Sequence, residues 1–321
     1  MPSTFRAAVI GAGHLGRHHA RILSTLTDVD LVGVIDIDAE RARIVASEFD
    51  TNVITDVGAL VPRLDGVVVA VPTVGHVSVA APLLAAGVSV LVEKPIASSA
   101  VEADVLLRAA AATGATLAVG HTERYNPAVR AALPLISEPG FIEVHRLATF
   151  QPRSLDIDVV FDLMIHDIDV VLSLAGADPV SLEAVGIPVL TDRIDIANAR
   201  LRFASGCIAN LTASRISRDR VRKLRVFQPH ALVTVDYAEQ QVEAWSVSRS
   251  TTGQPAIDGG RIDVDSVEPL ERELVDFIGA VRDGVEPVVT GLDGRRALAV
   301  AEAITDAMRT TASASVTNGV S

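Results

Sequence analysis

Short apolar runs alternate with helical patterns through the first third of the chain. Ala7–Ile10 reads as a strand, His14–Leu26 as a helix, Leu31–Ile35 as a second strand and Ala39–Phe49 as a second helix. Asn52–Ile54 is a short third strand, and Gly66–Val71, Val88–Val92 and Thr116–Val119 are the fourth, fifth and sixth. Helical segments near His76–Ala86 and Val101–Ala112 lie between them. Strands alternating with helices predict an α/β domain, a parallel sheet with helices on both faces.

After about His121 the texture changes. Asn126-Pro127 opens a short helix, a strand follows near Phe141–Phe150, and a strong helical pattern covers Val159–Leu174. From Val180 onward the chain reads as successive strands. Ala199, Leu201 and Phe203 alternate with Asn198, Arg200 and Arg202; after the turn Ala204-Ser205-Gly206, Cys207, Ala209, Leu211 and Ala213 alternate with Ile208, Asn210, Thr212 and Ser214. Period-2 alternation across a glycine turn predicts antiparallel pairing with one covered face. Helices near Pro269–Val281 and Gly294–Met308 close the pattern, and the small, polar stretch 311–321 is expected to be disordered. The expected organisation is residues 1–121 as a nucleotide-binding Rossmann domain and 122–310 as an α+β domain with an open-faced, mostly antiparallel sheet.

Composition narrows this picture. The 321 residues exceed what one core usually spans, and with aromatics at 3% the cores are built from Val, Leu, Ile and Ala. A formal net charge of −12 argues against nucleic-acid binding, although local charge can oppose it. No apolar run is long enough for membrane insertion, no secretory pattern opens the chain, and Cys207 is the single cysteine. A reducing, cytoplasmic setting is the simplest expectation.

Gly11-Ala12-Gly13-His14-Leu15-Gly16 places a G-x-G-x-x-G directly after a strand and at the start of a helix. Gly11 suits the tight turn, Gly13 the close approach of a pyrophosphate, and Gly16 the packing of helix on sheet. Free N–H groups and the positive helix end would face the phosphates. Asp36 ends the second strand, where an acid binds the adenosine ribose. Ile37 and Asp38 follow with no arginine directly behind, so NAD is favoured over NADP.

Two further motifs carry chemistry. Glu93-Lys94-Pro95 ends the fifth strand, on the edge of an open α/β sheet where ligands bind; Lys94 could polarise an alcohol oxygen or relay its proton. In Asp162-Leu-Met-Ile-His166-Asp-Ile-Asp169, helical spacing stacks Asp162 on His166, with Asp169 along the same stripe. A neutral His is a competent base for a hydroxyl proton, and a carboxylate can orient it. The alternative is a helix with a satisfied His and solvated acids. No second His supports a metal site, and none is expected.

With Val71-Pro72-Thr73 and His76, Arg124-Tyr125-Asn126-Pro127 and Pro287–Gly294, these motifs resemble the Gfo/Idh/MocA oxidoreductase family over nearly the whole chain, to about Met308. The resemblance implies a Rossmann domain, an open-faced sheet domain and an active site between them, in a homodimer or homotetramer joined through the open sheet. It implies Lys94, Asp162 and His166 as the catalytic group. It also implies that Pro72, Glu93 and Pro95 line the nicotinamide pocket; with Gly11, Gly13, His14, Leu15, Gly16, Asp36, Thr73, His76 and Lys94 they form the candidate cofactor site, a helix cap being the equal alternative for His76. Asp162–Asp169, Asp195–Arg200, Asn210–Arg215, Lys223–Gln228 and Val235–Tyr237 look like a subgroup of UDP-N-acetylglucosamine 3-dehydrogenases. That likeness implies NAD-dependent oxidation of a 3-hydroxyl to a 3-keto sugar that serves lipid A synthesis.

Arg215, Arg218, Arg220, Arg222, Lys223 and Arg225 concentrate positive charge in an acidic chain. Arginine forks suit a diphosphate; a solvated strand or a subunit interface is the alternative. Candidate substrate residues are Lys94, Arg124, Tyr125, Arg153, Asp162, His166 and Arg215, and Asp156 lies beside them. Inositol or another neutral sugar as substrate stays open, as does a non-catalytic NAD-binding regulator. The paired His18 and His19 have no assigned role beyond the first helix.

Overall fold

The structure, a computed structural model, describes residues 4–58, 61–151, 157–249 and 255–317. The chain divides into two compact units, Met1–Thr122 with Glu268–Leu298 and Glu123–Val267 with Ala299 onward.

The first unit holds β1 (Phe5–Ile10), α1 (His14–Thr25), β2 (Val29–Ile35), α2 (Ala39–Glu48), β3 (Asn52–Val53), β4 (Gly66–Val69), α3 (His76–Ala85), β5 (Ser89–Glu93), α4 (Ala100–Thr113) and β6 (Leu117–Gly120). Its six strands are ordered β3-β2-β1-β4-β5-β6, each neighbouring pair parallel. This is the doubly wound order whose switch point lies between β1 and β4. The strands β4, β5 and β6 are buried at every residue, which explains the Val, Leu and Ala that fill them between Gly66, Ser89, Glu93 and Gly120 at their ends. Capping follows the sequence: Asp38 accepts from the N–H groups of Glu40 and Arg41 at α2, and Ser99 from Glu102 at α4.

In the second unit, α5 (Pro127–Ala132) and β7 (Phe141–Leu147) precede the helix α6 (Ile165–Ala175). The strands β8 (Ser181–Ile187), β9 (Ile196–Arg202), β10 (Ile208–Ser214), β11 (Val221–Gln228), β12 (Ala231–Asp236), β13 (Gln241–Arg249) and β14 (Pro255–Ile262) follow. The eight-stranded sheet runs β14-β13-β12-β11-β7-β10-β9-β8. Only the β7–β10 pairing is parallel; the other neighbours are antiparallel. Ala197, Ala199 and Leu201 of β9 and Ala209, Leu211 and Ala213 of β10 are buried, the face that the alternation marks as covered.

The chain then returns to the first unit. In α7 (Pro269–Asp283), Leu274, Phe277 and Ile278 join the core of Phe5, Ile22 and Leu23. The Phe277 ring meets Phe5 edge-on at a centroid distance of 6.3 Å, and Arg21 bonds Glu268 at 2.6 Å. The helix α8 runs Gly291–Thr317: it starts earlier than its sequence pattern suggests because Thr290 and Asp293 cap it reciprocally, and it continues through residues 311–317, where the sequence pattern predicts disorder. Residues 318–321 of the expected tail lie outside the described residues. Among the described residues, no helix is long and apolar enough to cross a membrane.

Candidate active site

In the first unit a cavity of about 690 Å³ is lined by Gly11, Gly13, His14, Leu15, Asp36 and Pro72, among others. Gly11 has φ +98°, and a Cβ there would stand 2.5 Å from the Ala70 carbonyl oxygen. A Cβ on Gly16 would stand 1.7 Å from the Gly11 carbonyl oxygen, so α1 can lie against the loop only with glycine there. At Gly13 a Cβ would meet nothing within 4 Å; the space above it is open. Gly13 supplies no side-chain cap to α1, and the first turn carries no acid. The first N–H groups and the positive helix end therefore stay available to an anion, so the loop fits a dinucleotide pyrophosphate.

The Asp36 carboxylate accepts from the Ala12 N–H at 2.7 Å and the Asp38 N–H at 2.8 Å, fixing it beside the loop. Arg41 alters the expected picture. It stands in the first turn of α2, lines the same cavity, and places Nη1 3.6 Å from Asp36 and Nη2 3.2 Å from Asp38. Only the three-dimensional turn of α2 brings it there, which a search for arginine directly after Asp36 misses.

Pro72 lines the cavity, and Thr73 opens the short turn Thr73–Gly75 that follows it. His76 is buried. Its Nδ1 lies 3.0 Å from the Pro95 carbonyl and its Nε2 2.9 Å from the Val71 carbonyl, so it ties together two loops at the ligand edge of the sheet. Burial pushes its pKa down, and a neutral ring donates to one carbonyl at a time. Glu93 is also buried. Its carboxylate takes the Nε2–H of His19 at 2.8 Å and lies 3.2 Å from the Lys94 N–H. His19, without a role in the sequence, thus links α1 to the strand end that carries Lys94. Glu273 of α7 is fully buried nearby, and its carboxyl is held well above the usual range, by burial first and then by the charge of Glu93. Lys94 itself is half-buried at the end of β5.

In the second unit the helical pattern of Val159–Leu174 begins with a π-turn over Val160–Met164, in which the Ile165 N–H bonds the Val160 carbonyl. Asp162 lies in this wide turn and His166 in the first turn of α6; both are half-buried. Single π-turns inside helices are frequent at functional sites. The neighbouring acids behave differently. Asp167 is buried and receives Nε and Nη2 of Arg146 at 2.7 and 2.8 Å. Asp169, expected on the His166 stripe, is buried against Arg124 at 3.3 Å. Arg146 also bonds Glu123 at 2.9 Å and lies 5.2 Å over the Tyr237 ring. Burial works against its charge, yet Asp167 and Glu123 outweigh it and hold its pKa well above the ordinary value. Burial pushes the Asp167 carboxyl up while Arg146 pulls it down; with two short contacts, the ionised pair is the form the geometry supports.

The remaining candidates separate. Tyr125 is 1% exposed, buried within the second unit. Arg215 is buried, donates to the Ile157 carbonyl at 2.6 Å and lies 3.8 Å from Asp195. Its fork is therefore engaged with the loop at Ile157 and with Asp195. Arg153 and Asp156 lie outside the described residues.

Comparison with known proteins agrees with this geometry. Residues 5–121 match the model of the oxidoreductase family with an NAD-binding Rossmann fold, and residues 145–254 that of the GFO/IDH/MocA C-terminal domain. A UDP-N-acetylglucosamine 3-dehydrogenase of Acidithiobacillus ferrooxidans is 39% identical over 92% of this chain and 95% of its own. A solved structure of the enzyme of that name from the same organism superposes with a TM-score of 0.89 at 37% identity, covering 95% of this chain and 98% of that one. An inositol 2-dehydrogenase of Rhizobium meliloti is 27% identical over 94% of this chain and 96% of its own. A dinucleotide loop, a strand-end Glu-Lys-Pro and a two-unit match at this identity lead to one assignment: the chain belongs to the Gfo/Idh/MocA oxidoreductase family.

Proposed function

We propose that the protein oxidises the 3-hydroxyl of UDP-N-acetylglucosamine to the 3-keto sugar with NAD. The observation that carries this reading is the 39% identity, over nearly the whole length of both chains, to a protein of that activity. The positive charge of Arg218, Arg220 and Arg222 in an acidic chain supports it, because a neutral polyol offers that charge no anion. Asp36 supports NAD: Arg41 is neutralised by Asp36 and Asp38, and a 2′-phosphate would meet both carboxylates.

Gly11, Gly13, Asp36 and Pro72 would hold the dinucleotide, which would supply the acceptor for the hydride of the carbinol carbon. The protein's part is to manage the hydroxyl proton and its oxygen. His166 takes the proton as the hydride leaves, with Asp162 one turn back to orient the ring. Lys94 stabilises the developing alkoxide. The buried His19–Glu93 bond holds the strand end from which Lys94 extends.

The test follows reduced cofactor by absorbance with UDP-N-acetylglucosamine, free N-acetylglucosamine and myo-inositol in parallel. A glutamate-dependent aminotransferase is added to draw off the ketone. Reduction with the UDP-sugar alone is expected. Reduction with myo-inositol alone would replace this reading with a polyol dehydrogenase. Lys94→Ala should lower turnover by about two to four orders of magnitude while leaving NAD binding intact; near-normal turnover removes Lys94 from the chemistry.

A further inference from the structure

The six basic residues from Arg215 to Arg225 are not equivalent once folded. Arg215 is held by Ile157 and Asp195. Lys223 pairs with Asp236 at 3.5 Å and Arg225 with Glu143 at 2.8 Å. Arg218 and Arg220 are exposed. Arg222 is different. It shares the covered face of β11 with the buried Leu224 and Val226, and it stands directly opposite Arg146 of β7 in the antiparallel register. Opposite residues of such a pair project on the same face. Among the described residues, the Arg222 guanidinium has no hydrogen bond and no carboxylate within ion-pair distance, although it is half-buried.

The charges around it leave it uncompensated. Arg146, Glu123, Arg220 and Asp167 act on it, and both carboxylates are already bonded to Arg146. With Arg222 included, three guanidiniums face two carboxylates. Burial first, and Arg146 next, pull its pKa down, the mark of a cation held where it is not at ease. A partly desolvated cation set opposite another cation is destabilising for the fold alone. Such a position is explained by a ligand that brings the missing negative charge. A short path of contacts ties it to the chemistry: Arg222 faces Arg146, Arg146 grips Asp167, and Asp167 follows His166 on α6.

Resting on the UDP-sugar reading above, we infer that Arg222 is the specificity residue that binds the substrate's diphosphate and makes the second unit selective for a phosphorylated sugar over a free one. The planar fork can take two oxygens at once, which a lysine cannot.

The experiment compares wild type, Arg222→Met and Arg225→Met, all at saturating NAD so that the dinucleotide site is filled. Melting temperature and calorimetric affinity are measured with UDP, with inorganic pyrophosphate and with uridine. KM and kcat are measured with UDP-N-acetylglucosamine. For Arg222→Met, UDP affinity should fall and KM rise by about tenfold to a hundredfold, the scale of a lost charged hydrogen bond. The ligand-free variant should melt no lower than wild type, because an ill-placed cation has been removed. The rise in melting temperature that UDP and pyrophosphate give wild type should disappear. Arg225→Met, on the opposite face and paired with Glu143, should bind UDP as wild type does.

A ligand-free Arg222→Met protein that melts several degrees lower and keeps wild-type UDP affinity would make the residue structural and overturn the inference. Binding carried by uridine, with no response to pyrophosphate, overturns it as well. Turnover of the UDP-sugar by wild type with an unchanged KM in Arg222→Met defeats this inference alone. Absence of both UDP binding and UDP-sugar turnover in wild type defeats the proposed function and the inference with it.

Discussion

Removing the Arg146 side chain as Arg146→Met should be among the most damaging single changes in the second unit. The guanidinium and its partner Asp167 are 2% and 1% exposed as residues and share contacts of 2.7 and 2.8 Å. The variant leaves the Asp167 carboxylate buried without its cation, a loss of about 3–5 kcal/mol. The stacking on Tyr237 goes too, worth about 1 kcal/mol. Glu123 is less affected, since it also accepts from Asn126 Nδ2 at 3.1 Å. With a urea slope of about 2 kcal/mol per molar, the midpoint should fall by about 2 M.

The single tryptophan, Trp245, lies on β13 of this same unit, so intrinsic fluorescence reports its unfolding directly. The double variant Arg146→Met with Asp167→Leu removes both charges in matched volume and should recover most of the loss. A single variant that costs less than about 1 kcal/mol would mean that the pair is hydrated in solution, and the desolvated anchor for α6 would have to be given up.

Two further outcomes test the first unit. Asp36→Ala should weaken NAD more than NADP, by about tenfold in relative KM, since it removes a ribose acceptor and leaves Arg41 with Asp38 alone; an unchanged preference takes Asp36 out of cofactor choice. The Glu273 carboxyl is pushed well above its ordinary range by burial first and then by Glu93, with Asp276 adding to the effect. Its raised folded pKa contributes stability that is present below the ordinary carboxylate range and lost as pH rises through the folded value. Glu273→Gln keeps the neutral form, so its melting temperature should exceed that of wild type by a margin that grows from pH 5 to pH 9; parallel curves would show that Glu273 ionises without cost.

The first unit was legible because its signals are local. Uninterrupted apolar strands, a glycine loop at a strand–helix junction and an acid closing the next strand each act on their immediate neighbours. Their order along the chain therefore states the topology. What escaped depends on distant partners. The amphipathic stretch Pro269–Asp283 reads as a helix, but nothing in its own residues says that Phe277 will pack on Phe5. The same holds for His19: it shows as one of a pair on α1, and its partner Glu93 is 74 positions away. The basic segment was legible as a concentration of charge and illegible as six different environments, because strand alternation and pairing register decide which forks face carboxylates.

The helix from Asp162 to Asp169 shows the limit most clearly. Its acids look alike in sequence, and helical spacing alone groups Asp162, His166 and Asp169 on one stripe. In the fold, Asp167 and Asp169 are buried against Arg146 and Arg124, and Asp162 and His166 are left half-buried. Apolar residues of matched volume would stabilise that helix as well as a buried ion pair does. What two fork-to-carboxylate bonds add is direction: they are satisfied at one rotation of α6 and at few others. His166, next to Asp167, takes its orientation from that rotation. The helix thus divides its work: the buried Asp167 and Asp169 fix its angle, while Asp162 and His166 stay half-buried, as the proposed proton transfer requires. The recovery of stability expected from the double variant follows from the same division, because direction, unlike burial, is what the replacement cannot restore.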